Sequence, residues 1–205
     1  MALSKQDVVD AALGILDEYG LADLTMRRLA DNLQVQASAL YWHVANKQTL
    51  LAELVRAILA DLPHPNGPWR PGLAQWSEQL RERLLGHRDS AELVSSMRAI
   101  ALAATDVEDA PAALLRREGM GPEQARLAAQ TLVHLILGHV YEEQQHAQLA
   151  PLAIAHARPD PQTPQAAPSS PDRDSLPDHE SAPDHDFSAG ISLLLAGIDA
   201  SLREP

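Results

Sequence analysis

Apolar residues recur at three- and four-residue spacing along most of the chain. Val8, Val9, Ala12, Ile15, Leu16 and Tyr19 mark one face of a helix over about 5–19, with Ser4 as its N-cap and Asp7 in its first turn. Leu29, Ala30 and Leu33 mark a short second helix over 26–33, which Thr25 caps. After a break at Gln34, Val35 and Gln36 a third short helix fits 37–43, with Leu40 and Val44 as core positions. Asn46 caps a fourth over 47–62, ended by Pro63 and Pro65. Trp69, Leu73, Trp76, Leu80, Leu84 and Leu85 then keep the helical period to about Gly86, and further helices are expected over 89–104, 110–118 and 122–150. Phe187, Ile191, Leu194, Leu195, Ile198 and Leu202 lay an apolar stripe on a last helix. With no alternating strand pattern and no internal repeat, the chain is predicted to be all-α.

One stretch breaks this regularity. Residues 157–186 hold seven of the fifteen prolines and a single large apolar side chain, Leu176, too little burial to offset the entropy of ordering them. The segment is expected to be a mobile loop. It also explains much of the charge: seven acids stand there against Arg158 and Arg173, in a chain whose net charge is −12. That overall acidity argues against a protein that coats nucleic acid non-specifically. Between Thr25 and Lys47, however, Arg27, Arg28 and Lys47 outweigh Asp31, so this segment is locally basic. The chain has no cysteine, which excludes disulfides, thiolate metal sites and cysteine nucleophiles. No apolar run is long enough to span a membrane and the N-terminal residues lack the pattern of a signal peptide, so a cytoplasmic protein with no membrane partner is expected.

Two short helices joined by a three-residue break and followed by a longer helix outline a helix-turn-helix, whose second helix lies in the major groove. The stretch SALYWHVANK, 38–47, gives that reading its chemistry. Small residues Ala37, Ser38 and Ala39 allow close approach to base edges, Tyr41, Trp42, His43 and Lys47 offer polar tips and a cation to phosphates, and Arg27 is placed to reach a guanine edge. Against this stands the bland reading that the aromatic residues are core or boundary residues of a small helical domain.

Residues 4–62 resemble the N-terminal domain of the TetR family of bacterial repressors. LTMRRLADNLQVQASALYWHVANKQTLL matches that family's DNA-binding signature, and LYWHVANK is similar to its tetracycline-responsive branch. LLGHRDSAEL (84–93) and LVHLILGHVYEEQQH (132–146) resemble that branch's regulatory core. The resemblance implies a DNA-binding domain over 1–47, a linking helix over 47–62, and a helical ligand-binding and dimerisation domain over 63–205. It implies base contact by Arg27, Ala37 and Ser38, and phosphate contact by Thr25, Tyr41, Trp42, His43 and Lys47. The expected function is a dimeric repressor, without enzymatic activity, that leaves a palindromic double-stranded operator when a small-molecule inducer binds. Gln34 stands where the turn usually has glycine, and must take a positive φ or shift the turn. Ala37 and Ser38 differ in type from that branch's residues, so the operator is expected to differ.

The ligand pocket departs further. Val94 falls where that branch has its magnesium-binding imidazole, Trp76 where an asparagine reads the drug, and Pro111 in place of a glutamine. Arg98, His134 and Glu142 match, while Leu80, Met97, Leu135 and His139 are added by helical phase, and Pro63 or His64 falls at a further contact. A bulky, partly aromatic ligand other than a magnesium-bound tetracycline is expected, with no cofactor; a divalent metal accompanying the ligand is the less favoured alternative. The other class considered is a helical small-molecule-binding or ferritin-like metal enzyme. Its motif is the Glu143–His146 pair beside His139 and Glu142, for which no second Glu-x-x-His exists in a predicted helix.

Overall fold

The computed structural model describes residues 3–100, 107–156 and 183–203, and among these every regular element is a helix. The first is α1 (Lys5–Tyr19), closed at its start by a full capping box: Ser4 Oγ accepts from the Asp7 amide, and the Asp7 carboxylate accepts from the Ser4 amide. α2 (Met26–Asn32) begins at Thr25, whose hydroxyl accepts from the Arg28 amide at 3.1 Å. Then follow α3 (Ala37–Leu40) and α4 (Lys47–Leu59), the latter capped by Asn46, whose Oδ1 accepts from the Thr49 amide at 2.8 Å. Val8, Ala12, Leu16, Leu29, Leu40, Val44 and Leu50 meet in the interior where α1, α2, α3 and α4 cross. The caps read from the sequence are those the structure uses here, and so are the buried faces except at Tyr19, which is exposed.

Several boundaries differ, among them the end of the helix expected over 122–150, which continues to His156. The third helix, expected to reach His43, is regular only to Leu40, because Trp42 and His43 donate to carbonyls three residues back and tighten the turn. The fourth stops at Leu59 rather than 62. Ala60 turns extended (ψ 144°) and Asp61 takes φ 57°, so the chain leaves helical geometry before Pro63 is reached. The last helix starts at Pro183, so 183–186 are helical and not part of the expected loop; 157–182 lie outside the described residues. Of the helix expected over 89–104, residues 101–106 likewise lie outside them.

The second half is built on α5 (Trp69–Leu85), which touches α4, α6 (Ser90–Ala99), α7 (Asp109–Arg117), α8 (Pro122–His156) and α9 (Pro183–Arg203). The 64–68 turn folds back onto its first turn so closely that a Cβ on Gly72 would stand 2.4 Å from the Asn66 carbonyl oxygen. Trp76, Leu80 and Leu84 of α5 are sealed against Leu93, Val94, Leu132, Ile136, Val140 and Phe187. Within this packing Arg81 forms a two-pronged ion pair with Glu143 of α8, both contacts 2.8 Å, and lies 5.0 Å from the centre of the Phe187 ring. The pairing satisfies a charge that would otherwise be costly to bury.

The two halves meet in two places. α4 packs on α5 and α6, and the α5–α6 turn reaches the end of α1. There His87 Nδ1 lies 3.1 Å from the Asp17 carboxylate, the Arg88 guanidinium donates to the Glu18 carbonyl, and Asp89 accepts from the Leu21 amide at 2.8 Å. Gln144 of α8 steadies the same turn by donating to the His87 carbonyl and accepting from the Ala91 amide. The histidine, arginine and aspartate at 87–89 thus join the α5–α6 turn to the first domain.

Candidate nucleic-acid interface and effector cavity

The α2–α3 pair is joined by a tight turn in which Gln34 adopts φ 55°, so of the two outcomes expected for it the chain takes the left-handed conformation and does not shift the turn. Leu33 and Val35 are tied back to α2, with their amides donating to the Leu29 and Ala30 carbonyls at 3.0 Å. That geometry turns α3 so that Leu40 faces inward while Ala37 and Ser38 face solvent. Thr25, Arg27, Tyr41 and Trp42 are exposed, and His43 and Lys47 are half-buried. Trp42 is 89% exposed although indole is among the most costly side chains to leave in water. Nothing in the chain's own fold calls for it there, and the core reading of this aromatic stretch fails for both Tyr41 and Trp42.

The two arginines differ. Arg28 is held by Asp23 at 2.8 Å and stacks 4.4 Å from the centre of the Tyr19 ring. Arg27 is exposed and makes no ion pair or side-chain hydrogen bond with the described residues. The side chain expected to read a base is thus the unengaged one. All eight residues expected to touch DNA lie on the start of α2, on α3 and its following turn, or at the start of α4, with Leu29, Leu40, Val44 and Leu50 behind them as a fixed support.

The residues expected around a ligand do not form one group. A cavity of about 250 Å³ lies between the end of α4, the chain after it, α5 and α7, lined by Arg56, Leu59, Leu62, Pro63, His64, Trp76, Val107 and Ala110. Only His64 and Trp76 of the expected set reach it. Leu80, Val94 and Met97 are spent in the core, and Leu135 packs towards Gly190 of α9. His139 lies against Phe187, ring centres 5.2 Å apart, with its Nε2 3.3 Å from Glu143. Glu142 is exposed. His134 lines two recesses on the other side, between α6 and α8, with Ser95 and Leu137; Arg98 shares the smaller and is clamped to Glu108 at 2.5 Å.

Sequence reasoning missed Arg56, Leu59 and Leu62. The signal was Leu59, an apolar residue at the edge of the stripe formed by Leu51, Leu54, Val55 and Ile58, which packs on the core with one side and lines the cavity with the other. Among the described residues no group of three or more histidines and carboxylates could hold a metal ion, so the ferritin-like alternative has no centre to rest on there.

An outward short helix on a left-handed turn, coupled through one longer helix to a cavity-bearing helical domain, defines a helix-turn-helix regulator with an effector domain. Residues 8–54 match the family described as bacterial regulatory proteins, tetR family, and residues 62–202 match the tetracyclin repressor-like C-terminal domain. The chain belongs to the TetR family. It is 39% identical over 166 residues to the class E tetracycline repressor protein of Escherichia coli, covering 77% of this chain and 76% of that protein. The crystal structure of BioQ with its natural double-stranded DNA operator superposes with a TM-score of 0.73 at 32% identity, covering 96% of this chain and 98% of that one. A single-site variant of TetR from Acinetobacter baumannii in complex with minocycline gives a TM-score of 0.72 at 29% identity, over the whole of both chains.

Proposed function

We propose that two copies of the chain bind a palindromic duplex operator through α3, and that a small molecule entering the cavity at the end of α4 releases them. The observation that carries this reading is the position of α4. Its first residue, Lys47, stands at the DNA face, and its last turn, with Arg56 and Leu59, lines the cavity. Thirteen residues at 1.5 Å rise make it a rod of about 20 Å, so a ligand that displaces one end moves the other. Half-sites on one face of a duplex are about 34–36 Å apart, and a displacement of a few Å in each copy spoils simultaneous docking. The ligand acts only through its different affinity for the two arrangements.

Dimerisation is supported by the outer face of α8 and α9. Leu127, Tyr141 and Leu149 on α8 and Leu193 on α9 are exposed, the last at 77%, and Gly138 and Gly197 beside them have no atom near the place of a Cβ. Such a face suits a four-helix bundle with a second copy. The relatives are repressors, and repression without a catalytic step is the role proposed here, with no metal or cofactor required. Among the described residues no helix is long and apolar enough to cross a membrane, and a cytoplasmic location is part of the proposal. Arg27, Ala37 and Ser38 are assigned to base edges, and Thr25, Tyr41, Trp42, His43 and Lys47 to phosphates. Replacing Tyr41 and Lys47 together by alanine should weaken operator binding at least tenfold while the dimer persists in sedimentation. Unchanged DNA affinity would remove the basis for the proposal.

A further inference from the structure

The cavity at the end of α4 adjoins a second recess of about 390 Å³ that opens outward along α7, and the two share His64 and Ala110. In a chain of net charge −12, every charged or titratable residue lining either recess, among the described residues, is basic: Arg56, His64, Arg116 and Arg117. Arg56 is neutralised by Glu53. Arg116 and Arg117 are exposed in the last turn of α7 and make no ion pair with the described residues. The nearby acids are placed elsewhere: Glu108 is clamped to Arg98, and Asp109 and Glu118 are exposed and line neither recess. Interaction with the negative end of α7 accounts for a cation in that turn, but not for the lack of acids among the described residues that line the two recesses. The inner space, by contrast, is walled by Leu59, Leu62, Pro63 and Trp76.

From this juxtaposition we infer that the effector is an amphipathic anion. Resting on the reading of the cavity given above, the inference places an apolar, ring or chain body against Trp76 and Leu59 and a carboxylate or phosphate head between His64, Arg116 and Arg117. Arginine suits either head because its planar fork donates two parallel hydrogen bonds to paired oxygens, and His64 donates a ring N–H whether or not it is protonated. The inner recess alone is small for a ligand, and the two together fall well within the range of ordinary binding sites.

The test uses bodies that differ only in their heads. Decanoate, decyl phosphate and decanamide, and 2-naphthoate, 2-naphthyl phosphate and 2-naphthamide, are titrated calorimetrically into the full chain at fixed ionic strength. At least one anion in a series should bind tenfold or more tightly than its amide, equivalent to about 1.4 kcal/mol. Preference between carboxylate and phosphate then identifies the head. The double substitution R116A/R117A should bring the anion to the affinity of the amide, with operator binding by the free protein and its melting temperature unchanged. Equal affinity of anion and amide, no binding by any of the six compounds, or an anion preference that survives R116A/R117A would overturn the inference. Anion binding that R116A/R117A abolishes but that leaves operator affinity untouched would uphold the anionic site and contradict instead the proposed release mechanism.

Discussion

Asp89 is the residue at which the two halves of the chain are most directly tied, and its removal has a calculable cost. It precedes α6 with φ 55° and ψ 17°, and its carboxylate accepts from the Leu21 amide at 2.8 Å and from Gln148 Nε2 at 2.6 Å. Hydrogen bonds to a charged group contribute about 1.5–3 kcal/mol each, and the lower end applies because Asp89 is only half-buried and water can partly replace it. Asp tolerates the left-handed region better than Ala, which adds a fraction of the roughly 1–2 kcal/mol that the region costs an ordinary residue. Asp89→Ala should therefore destabilise by about 3 kcal/mol, and Asp89→Asn, which keeps an acceptor for Leu21, by about 1 kcal/mol. Urea unfolding at constant pH measures both. Because the same carboxylate links α8 to the α1–α2 turn, Asp89→Ala should also reduce the ratio between operator affinities without and with effector. A loss under 0.5 kcal/mol together with an unchanged ratio would refute the reasoning.

Two further predictions follow from the same structure. Trp42→Ala removes an exposed ring with no part in the core, so unfolding free energy should stay within about 0.5 kcal/mol of the parent while operator affinity falls; a stability loss above 2 kcal/mol would mean the ring is packed. Glu53 of α4 accepts from Lys5 of α1 at 2.9 Å and from Arg56. Burial raises its pKa, but these two cations outweigh burial and hold it below the ordinary value. Its contribution is present above the unfolded-state pKa of about 4.3 and is lost as pH falls through the lower folded value, so Glu53→Gln should flatten the stability profile below about pH 4.3. A Glu53→Gln profile parallel to that of the parent across this window would count against the pairing.

The first domain was legible because its signals are local. Ser4 with Asp7, Thr25 and Asn46 each cap within three residues, while the expectation for Gln34 came from the resemblance, which puts a glycine at that place in the turn. The cavity was legible only in part. Helical phase says which side of a helix is covered, not whether a side chain or a space covers it, so Leu80 and Met97 looked like cavity walls and are core, as is Val94, which the resemblance had placed there. His134 and Arg98 line a recess between α6 and α8 that Trp76 does not reach, a separation no single-helix pattern records. The tie between Asp17 and Arg88, 71 positions apart, is equally invisible without the fold that brings α1 to the α5–α6 turn.

Selection of bound duplexes from a random-sequence pool by the purified full-length protein tests the central claim most directly. Inverted repeats with half-site centres about one helical turn apart should be enriched, and the enrichment should vanish when Tyr41 and Lys47 are both alanine. Recovery of no common sequence, or of the same sequences by that double variant, would contradict the account.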